Sequence, residues 1–402
     1  MDQLRMPTDE LKRQIGPGLL TLYGVGVMVG AGIYVLVGAV AGNAGVFAPL
    51  AFLFAGVIAA PTAFSYAELS IRVPESAGEA AFVRRAFGSN AFSVFVGLAI
   101  AGVGITSAAA VLQGGVGYLQ TFVTAVDSRI LIVAIGLVLV AIALWGVLES
   151  LAIAGIFTLV EVTGLMIVVW VGFDGQASND WNNIDAGAIE WGGLGLAAVL
   201  AFFAFIGFED MVNMVEEVKR PERTMPVAII SALVITCLLY GAVSIATVRT
   251  VEIDALADSD SPLALVYETA TGRNPSFLAA IAVAAALNGV LAQIVMAARV
   301  LFGLGRRNEK LAIFHHSHPR LGTPVLATGL IGFGVIIGAL TLDLAVLAEV
   351  TSTFLLVVFL MVNAALIQLK RANPSPGFST PLWVPFAGLI GAAVALAITV
   401  LT

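Results

Sequence analysis

Two glycine-interrupted apolar stretches decide the architecture of this chain. The first reads GVGVMVGAGIYVLVG at 24–38, and the second reads AVLAFFAFIGFEDMVNMVEEVKRPER at 198–223. Each is apolar enough to lie in a membrane, yet each carries glycine in its middle. Glycine weakens a helix by about 1 kcal/mol relative to alanine. We therefore predict two membrane helices whose backbones open, one at Gly30–Gly32 and the other at Gly207.

The composition places the whole chain in a membrane. Of 402 residues, 59% are apolar and only 11% are charged, and the mean hydropathy is +1.02. Soluble domains carry about 25% charged residues, so this composition excludes a soluble enzyme, a nucleic-acid binder and a disordered protein. We predict an all-α polytopic membrane protein with about eleven helices of roughly 20 residues. The predicted spans are 17–41, 46–69, 91–123, 129–147, 150–172, 194–217, 226–249, 277–305, 324–342, 345–369 and 381–401, with a further amphipathic piece near 78–87.

The distribution of basic residues predicts the orientation. With these spans, fifteen of the nineteen Lys and Arg residues fall on the side of the N-terminus and three on the opposite side. Because loops rich in Lys and Arg stay in the cytoplasm, we expect a multi-pass protein of the cell membrane with a cytoplasmic N-terminus. The polar start of the chain does not resemble a signal peptide, so the first span is expected to be retained.

The two interrupted spans are the first and the sixth. That spacing is what two five-helix repeats of inverted topology give, so we predict one domain over 1–402. It comprises a first repeat over about 17–172, a second over about 194–369 and an extra helix at 381–401. Free N–H groups at a half-helix start suit a carboxylate, and free carbonyls suit an ammonium. Paired interruptions of this kind indicate a transporter's binding site; the alternative is close helix packing through small residues.

Four motifs, taken together, resemble the amino acid–polyamine–organocation superfamily of transporters. VGAGIY at 29–34 resembles its first-helix signature, and FFAFIGFEDMVNMVEEVKRPERTMPVAI at 202–229 is the most specific match. SYAELSIRVPESAGEAAFVRRAFG at 65–88 and AARVLFGLGRRNEKLAIFHHSHPRLGTPVLA at 297–327 are similar to the second-to-third-helix loop and the eighth helix. The chain departs from the loop pattern at Ala77 and Phe82, and a twelfth helix is expected to be absent or to have been cut away.

The resemblance implies a binding site made largely of backbone groups. N–H groups just past the first break would hold the substrate carboxylate, and the matching residues are Gly30, Ala31 and Gly32. Carbonyl groups near both breaks would hold the α-ammonium, and the matching residues are Met28, Phe203 and Ile206. The ring of Phe203 matches an aromatic gate over the substrate, and simple core packing is the alternative.

Three charged residues within spans complete the predicted site. Glu161 matches a position where proton-coupled relatives often carry lysine; a carboxylate there could cycle a proton, or it could form a structural hydrogen bond. Glu209 is predicted as a gate or part of a proton path, with helix capping as the alternative. Arg299 matches a basic residue of the inner gate, unless it snorkels to the interface. Its candidate partners are Glu68, Glu216 and Glu217.

The function predicted first is secondary transport of amino acids or related amines by alternating access, coupled to protons as a symporter. Amino acid exchange comes next, polyamine transport third, and a substrate sensor is a further alternative. A membrane enzyme is disfavoured because no span contains histidine, and a channel because no repeated pore element is evident. We expect no cofactor and no metal, since no phosphate-binding loop occurs and His315, His316 and His318 fall in a solvated loop. The oligomeric state cannot be predicted.

Overall fold

The structure is a computed structural model that describes residues 13–75, 78–145, 151–175, 189–316, 318, 323–372 and 377–401. Within these ranges the chain forms α-helices joined by turns and short 3-10 segments, and no sheet. The helices are α1 (Pro17–Ala44), α2 (Ala48–Arg72), α3 (Gly78–Phe87), α4 (Asn90–Leu119), α5 (Ser128–Trp145), α6 (Leu151–Asp174), α7 (Trp191–Phe203), α8 (Pro221–Thr250), α9 (Ile253–Ala257), α10 (Pro262–Thr271), α11 (Ser276–Arg307), α12 (Val325–Thr341), α13 (Leu344–Ala372) and α14 (Trp383–Leu401).

The prediction of an all-α polytopic membrane protein is confirmed. Seven apolar helical stretches in the described residues are long enough to cross a membrane, and four shorter apolar helices accompany them. Each predicted span coincides with an α-helix to within a few residues, except the sixth, which divides after Phe203. The predicted link between the fourth and fifth spans, 148–149, lies outside the described residues, as do the N-terminal residues 1–12.

Glycine lets the longest helices approach closely. A Cβ atom built on Gly97, Gly104 or Gly115 of α4 would lie within 2.6 Å of a side-chain atom of α11. The α11 residues in contact are Leu304, Ala297 and Ala286, in that order. Because lipid tails are as apolar as these side chains, close backbone contact and dispersion hold the pair together. The small-residue reading of many glycines in this chain is therefore correct for α4.

A buried ionic cluster anchors α2 to α13 on the side of the N-terminus. Glu68 is fully buried, and its two carboxylate oxygens lie 2.7 Å from Arg72 Nη2 and from Lys370 Nζ. The N–H and hydroxyl groups of Thr380, which precedes α14, donate to the same carboxylate at 2.7 and 2.8 Å. With this many charge-assisted bonds the burial of Glu68 is compensated.

The stretch between α8 and α11, predicted as a loop, contains two short helices that cover the opposite side. Leu256 in α9 and Leu263 in α10 are fully buried. The N–H of Leu263 donates to Tyr118 Oη at 3.2 Å, and this hydroxyl donates to the carbonyl oxygen of Tyr34 in α1 at 2.7 Å. Helix α10 is therefore tied to the second half of α1 through one tyrosine.

Candidate substrate site at the two broken helices

The first break is a single non-helical residue within α1. Gly30 has φ −14° and ψ −156°, while the helix continues on either side. A Cβ atom built on Gly30 would have no heavy atom of the described residues within 4 Å, so this backbone faces open space. The predicted interruption of the first span is confirmed at this residue. Open space beside interrupted backbone is what a small polar ligand requires.

The second break is a turn of five residues. Helix α7 ends at Phe203, residues 204–208 form the turn, and a 3-10 helix follows over Glu209–Glu217. Gly207 has φ +129°, a conformation that L-residues rarely adopt. Its N–H donates to Glu209 Oε2 at 2.9 Å. This bond closes the turn itself, and the 3-10 helix that follows begins after Phe208 without a side-chain cap, so capping of that helix by Glu209 is not observed.

The two breaks are in direct contact. A Cβ atom built on Gly207 would lie 2.6 Å from Val27 Cγ1 and 3.1 Å from the backbone nitrogen of Met28. On the other side, a Cβ atom on Gly32 would lie 3.1 Å from Ala204 Cα. Each break therefore packs a glycine against the backbone of the other. Only glycine at these positions permits so close an approach.

A tyrosine on α8 joins the two breaks. Tyr240 is fully buried, and its hydroxyl lies 2.6 Å from the carbonyl oxygen of Met28 and 2.9 Å from that of Ala204. Sequence reasoning did not select Tyr240, because a lone tyrosine in an apolar span is also typical of core packing. Its hydroxyl, which needs a partner when buried, was the only available signal.

Comparisons with known proteins identify the family of this doubly interrupted bundle. The sequence profile described as amino acid permease matches residues 19–402. The chain belongs to the amino acid permease family. It is therefore a multi-pass membrane transporter and not an enzyme, as predicted.

Named relatives of the permease differ in what they carry. The chain is 28% identical to a branched-chain amino acid permease of Bacillus subtilis, over 90% of this chain and 82% of that protein. It is 30% identical to cationic amino acid transporter 4 of Homo sapiens, over 91% of this chain but 61% of that protein. It is 28% identical to a methylthioribose transporter of Bacillus subtilis, over 96% of this chain and 87% of that protein.

The predicted backbone ligands of the permease lie together at the breaks. Met28 and Ile206 are buried, and Phe203 Cδ1 would lie 3.7 Å from a Cβ on Gly32. The carbonyl of Phe203 accepts the N–H of Ile206 at 3.2 Å, and that of Met28 accepts the Tyr240 hydroxyl. The backbone of Ala31 follows Gly30 in α1, and its side chain lies outside the described part.

Glu161 lies beside the second half of α1. It is 3% exposed on α6, and its backbone carbonyl accepts the hydroxyl of Tyr34 at 2.8 Å. Tyr34 follows Gly30 by one helical turn, so α6 is attached just beyond the first break. The position predicted from the resemblance is therefore adjacent to α1.

Glu68, one of the three candidate partners of Arg299, pairs with other residues. Both oxygens of Glu68 are taken by Arg72 and Lys370, which are closer along α2 and α13. Arg299 is exposed on α11, and within the described residues it forms no ion pair. It does lie within electrostatic reach of Tyr23 in α1, as does Asp210. Arg299 and Asp210 thus flank the first half of α1.

Glu79 is a third acidic residue near the second break, and sequence reasoning did not identify it. Glu79 in α3 is 6% exposed and accepts a hydrogen bond from Tyr66 Oη at 3.2 Å. Its charge repels those of Glu209 and Asp210. Burial raises the pKa of Glu79 to about 7. No pattern in the sequence distinguishes this glutamate from the other acids of the second-to-third-helix loop.

The three histidines do not form a metal centre. His315, His316 and His318 are exposed, and the His315 ring packs 4.5 Å from that of Phe302. Within the described ranges, no group of three histidine, cysteine or acidic residues is close enough to hold a metal.

Proposed function

We propose that this permease is a secondary active transporter that moves amino acids across the plasma membrane by alternating access around its two breaks. The observation that carries the proposal is the bare backbone of Gly30, which faces open space while the second break packs against the same helix. In this proposal the chain is one domain of two five-helix repeats plus α14, with a cytoplasmic N-terminus.

The substrate's common groups are recognised by backbone. The α-carboxylate accepts hydrogen bonds from the backbone N–H groups of Gly30, Ala31 and Gly32. These residues begin the second half of α1, where the helix dipole favours a negative charge. The α-ammonium donates to carbonyls at the breaks, predicted as Met28, Phe203 and Ile206. These contacts bind what all amino acids share, which fits relatives named for branched-chain and for cationic amino acids.

Glu161 is the proposed proton-coupling group. It is buried next to the second half of α1, so a change in its charge alters the electrostatic potential at the half-helix that holds the substrate. Phe203 closes over the substrate from the end of α7. Glu209 and Arg299 serve the gate on the side of the N-terminus, since the Glu209 carboxylate already fixes the second break through Gly207.

Uptake into proteoliposomes tests the proposal. Each labelled L-amino acid is supplied singly, with and without an inward proton gradient and without sodium. Accumulation that follows the gradient and collapses with a protonophore is the expected result. Flux that requires amino acid preloaded inside the vesicles would replace symport with exchange, and no flux in either condition would contradict active transport.

A matched pair of variants distinguishes an effect on proton coupling from a general effect of replacing a glutamate. Glu161→Gln should transport with a flattened pH dependence, because the side chain keeps its size but can no longer exchange a proton. Glu349→Gln, on half-buried α13 surface away from the breaks, is the control and should keep the wild-type profile. Unchanged pH dependence in Glu161→Gln would remove this residue from the coupling mechanism.

A further inference from the structure

Helix α8 carries three buried hydroxyl groups along one face. Thr236, Tyr240 and Ser244 are each fully buried and follow one another at intervals of four residues. Thr236 Oγ1 and Ser244 Oγ have no hydrogen-bond partner among the described residues. The Tyr240 hydroxyl is the member of the set that reaches the breaks, and its neighbours on the same face provide matched controls.

The Tyr240 hydroxyl is held in a fixed position. Its ring meets Phe205 edge-on with centroids 5.2 Å apart, and Phe52 edge-on at 5.8 Å. Phe205 belongs to the second break and Phe52 to α2. Because aromatic edge contacts of this kind restrict a buried ring, the hydroxyl points steadily at the space between the carbonyls of Met28 and Ala204.

Two carbonyl oxygens that converge on one point repel each other unless a donor or a cation lies between them. Met28 and Ala204 are 176 residues apart in sequence, and both place their oxygens within 2.9 Å of the same hydroxyl. That hydroxyl has one hydrogen. It can therefore bond fully to only one carbonyl at a time, which leaves the other with acceptor capacity at a site where an ammonium is expected.

We propose that Tyr240 is a positioning residue that holds the two breaks together in the absence of substrate and releases one carbonyl to the α-ammonium when substrate binds. The first part stands on the geometry alone, and the second rests on the proposed function. An ammonium carries three donors, so it can take over one break carbonyl while Tyr240 keeps the other. Substrate binding then replaces one of the two contacts between the Tyr240 hydroxyl and the break carbonyls with a hydrogen bond from the ammonium, so the ammonium binds at a carbonyl that is already in position.

Hydrogen exchange tests the first part without any need for transport. In purified Tyr240→Phe, backbone amides in peptides covering 24–34 and 198–210 should exchange at least about fivefold faster than in the wild type, because loss of a buried hydrogen bond of about 1 kcal/mol shifts local opening by that factor. Thr236→Val and Ser244→Ala remove unpaired hydroxyls and should leave these peptides unchanged. Equal exchange in Tyr240→Phe and the controls would overturn the bridge.

Transport kinetics test the second part. L-Leucine and L-lysine serve as probes, together with the leucine analogue in which a hydroxyl replaces the ammonium. Tyr240→Phe should raise the KM for the transported amino acid about tenfold with little change in kcat, and should lower the preference for the amino acid over its hydroxy analogue. An unchanged preference would overturn the release of a carbonyl, even if the bridge is present.

Hydrogen exchange and transport kinetics can contradict the bridge and the proposed function separately. Faster exchange in Tyr240→Phe with no transport of any amino acid by the wild type would leave the bridge standing and contradict the proposed function. If Tyr240→Phe does not purify as a single folded species, 3-fluorotyrosine at position 240 keeps the hydroxyl and reports on it by fluorine resonance. Addition of the transported probe should move that resonance, and a resonance that stays in place at saturating probe would overturn the release of a carbonyl.

Discussion

The two breaks solve the same problem of interrupted backbone in different ways. The first depends on Gly30 alone, lies in a helix without a charged residue, and faces open space. The second extends over five residues, includes Gly207 at φ +129°, and satisfies its free N–H with Glu209. The first break thus faces open space, whereas the N–H of Gly207 at the second is closed by a carboxylate of the protein itself.

Because of this difference, we expect the two breaks to have different roles, one in binding and the other in the fold. Backbone left unpaired in a membrane is costly unless it lines a cavity or is buried in protein. The second break meets that demand internally, so it can serve as a fixed joint between α7 and the 3-10 helix. The first break lies beside open space, where in the proposed function the substrate binds. Substitution of Gly207 should damage the fold, and substitution of Gly30 should damage binding.

Gly207→Ala should have the largest effect. Alanine at this φ is strained, and its Cβ would lie 2.6 Å from Val27 Cγ1 and 3.0 Å from Val27 C. Strain of about 1–3 kcal/mol and overpacking of a similar size add at one position. We expect loss of most folded protein, measured by the monodisperse fraction in detergent. Gly241→Ala on α8, whose Cβ would meet nothing within 4 Å, is the control; equal yields for both variants would show that the second break is not a fixed joint.

Gly32→Ala should have an intermediate effect on stability. Its Cβ would lie 3.1 Å from Ala204 Cα, a backbone atom that cannot rotate away. The two breaks must then separate by a few tenths of an ångström, at a cost of about 1–3 kcal/mol. Thermal unfolding should occur several degrees lower than in the wild type. An unchanged unfolding temperature would mean that the approach of Gly32 to the second break adds little.

A smaller effect is expected at Glu79, which extends the acidic character of the second break. Its carboxyl binds a proton more tightly in the folded protein, where its pKa is about 7, than in the unfolded chain, where it is about 4.5. The stability that this proton contributes is complete below the lower value and is lost as the pH rises through the higher one.

The measurement is thermal unfolding of the wild type and Glu79→Gln at about pH 5 and about pH 8. The drop between these conditions should be smaller in the variant. Glu209 and Asp210 face Glu79 from the 3-10 helix and Tyr66 faces it from α2, so some pH dependence should persist. Equal drops in both proteins would mean that Glu79 is already ionised in the folded state.

The sequence was sufficient for what depends on local composition. Twenty-residue apolar runs identified the spans, and glycine within them identified both breaks at Gly30 and Gly207. It was insufficient where residues distant in the chain meet. The bridge from Tyr240 to Met28, the pairing of Glu68 with Lys370 and the placement of Glu79 all require the tertiary arrangement, because none follows from spacing along a single helix.

The sequence pattern also did not predict where helix α7 ends. The acids that follow Gly207 favoured a second half-helix, and the chain forms a 3-10 helix in its place over Glu209–Glu217. The stretch 250–276 was predicted as a loop because it lies between the seventh and eighth predicted spans. It instead contains α9 and α10, in which Leu256 and Leu263 are fully buried.

Binding by Gly30→Ala tests most directly whether the open backbone of the first break is the substrate site. The added methyl group meets no neighbouring side chain or other helix within 4 Å, so no steric overlap opposes folding, and affinity is measured only on variant protein that is monodisperse in detergent. Each labelled L-amino acid is assayed singly by scintillation proximity on purified protein, with Gly303→Ala in α11, equally unobstructed, as the control. The account predicts that affinity falls at least about tenfold in Gly30→Ala, or about 1.4 kcal/mol, while Gly303→Ala binds normally. Wild-type affinity in a folded Gly30→Ala would contradict it.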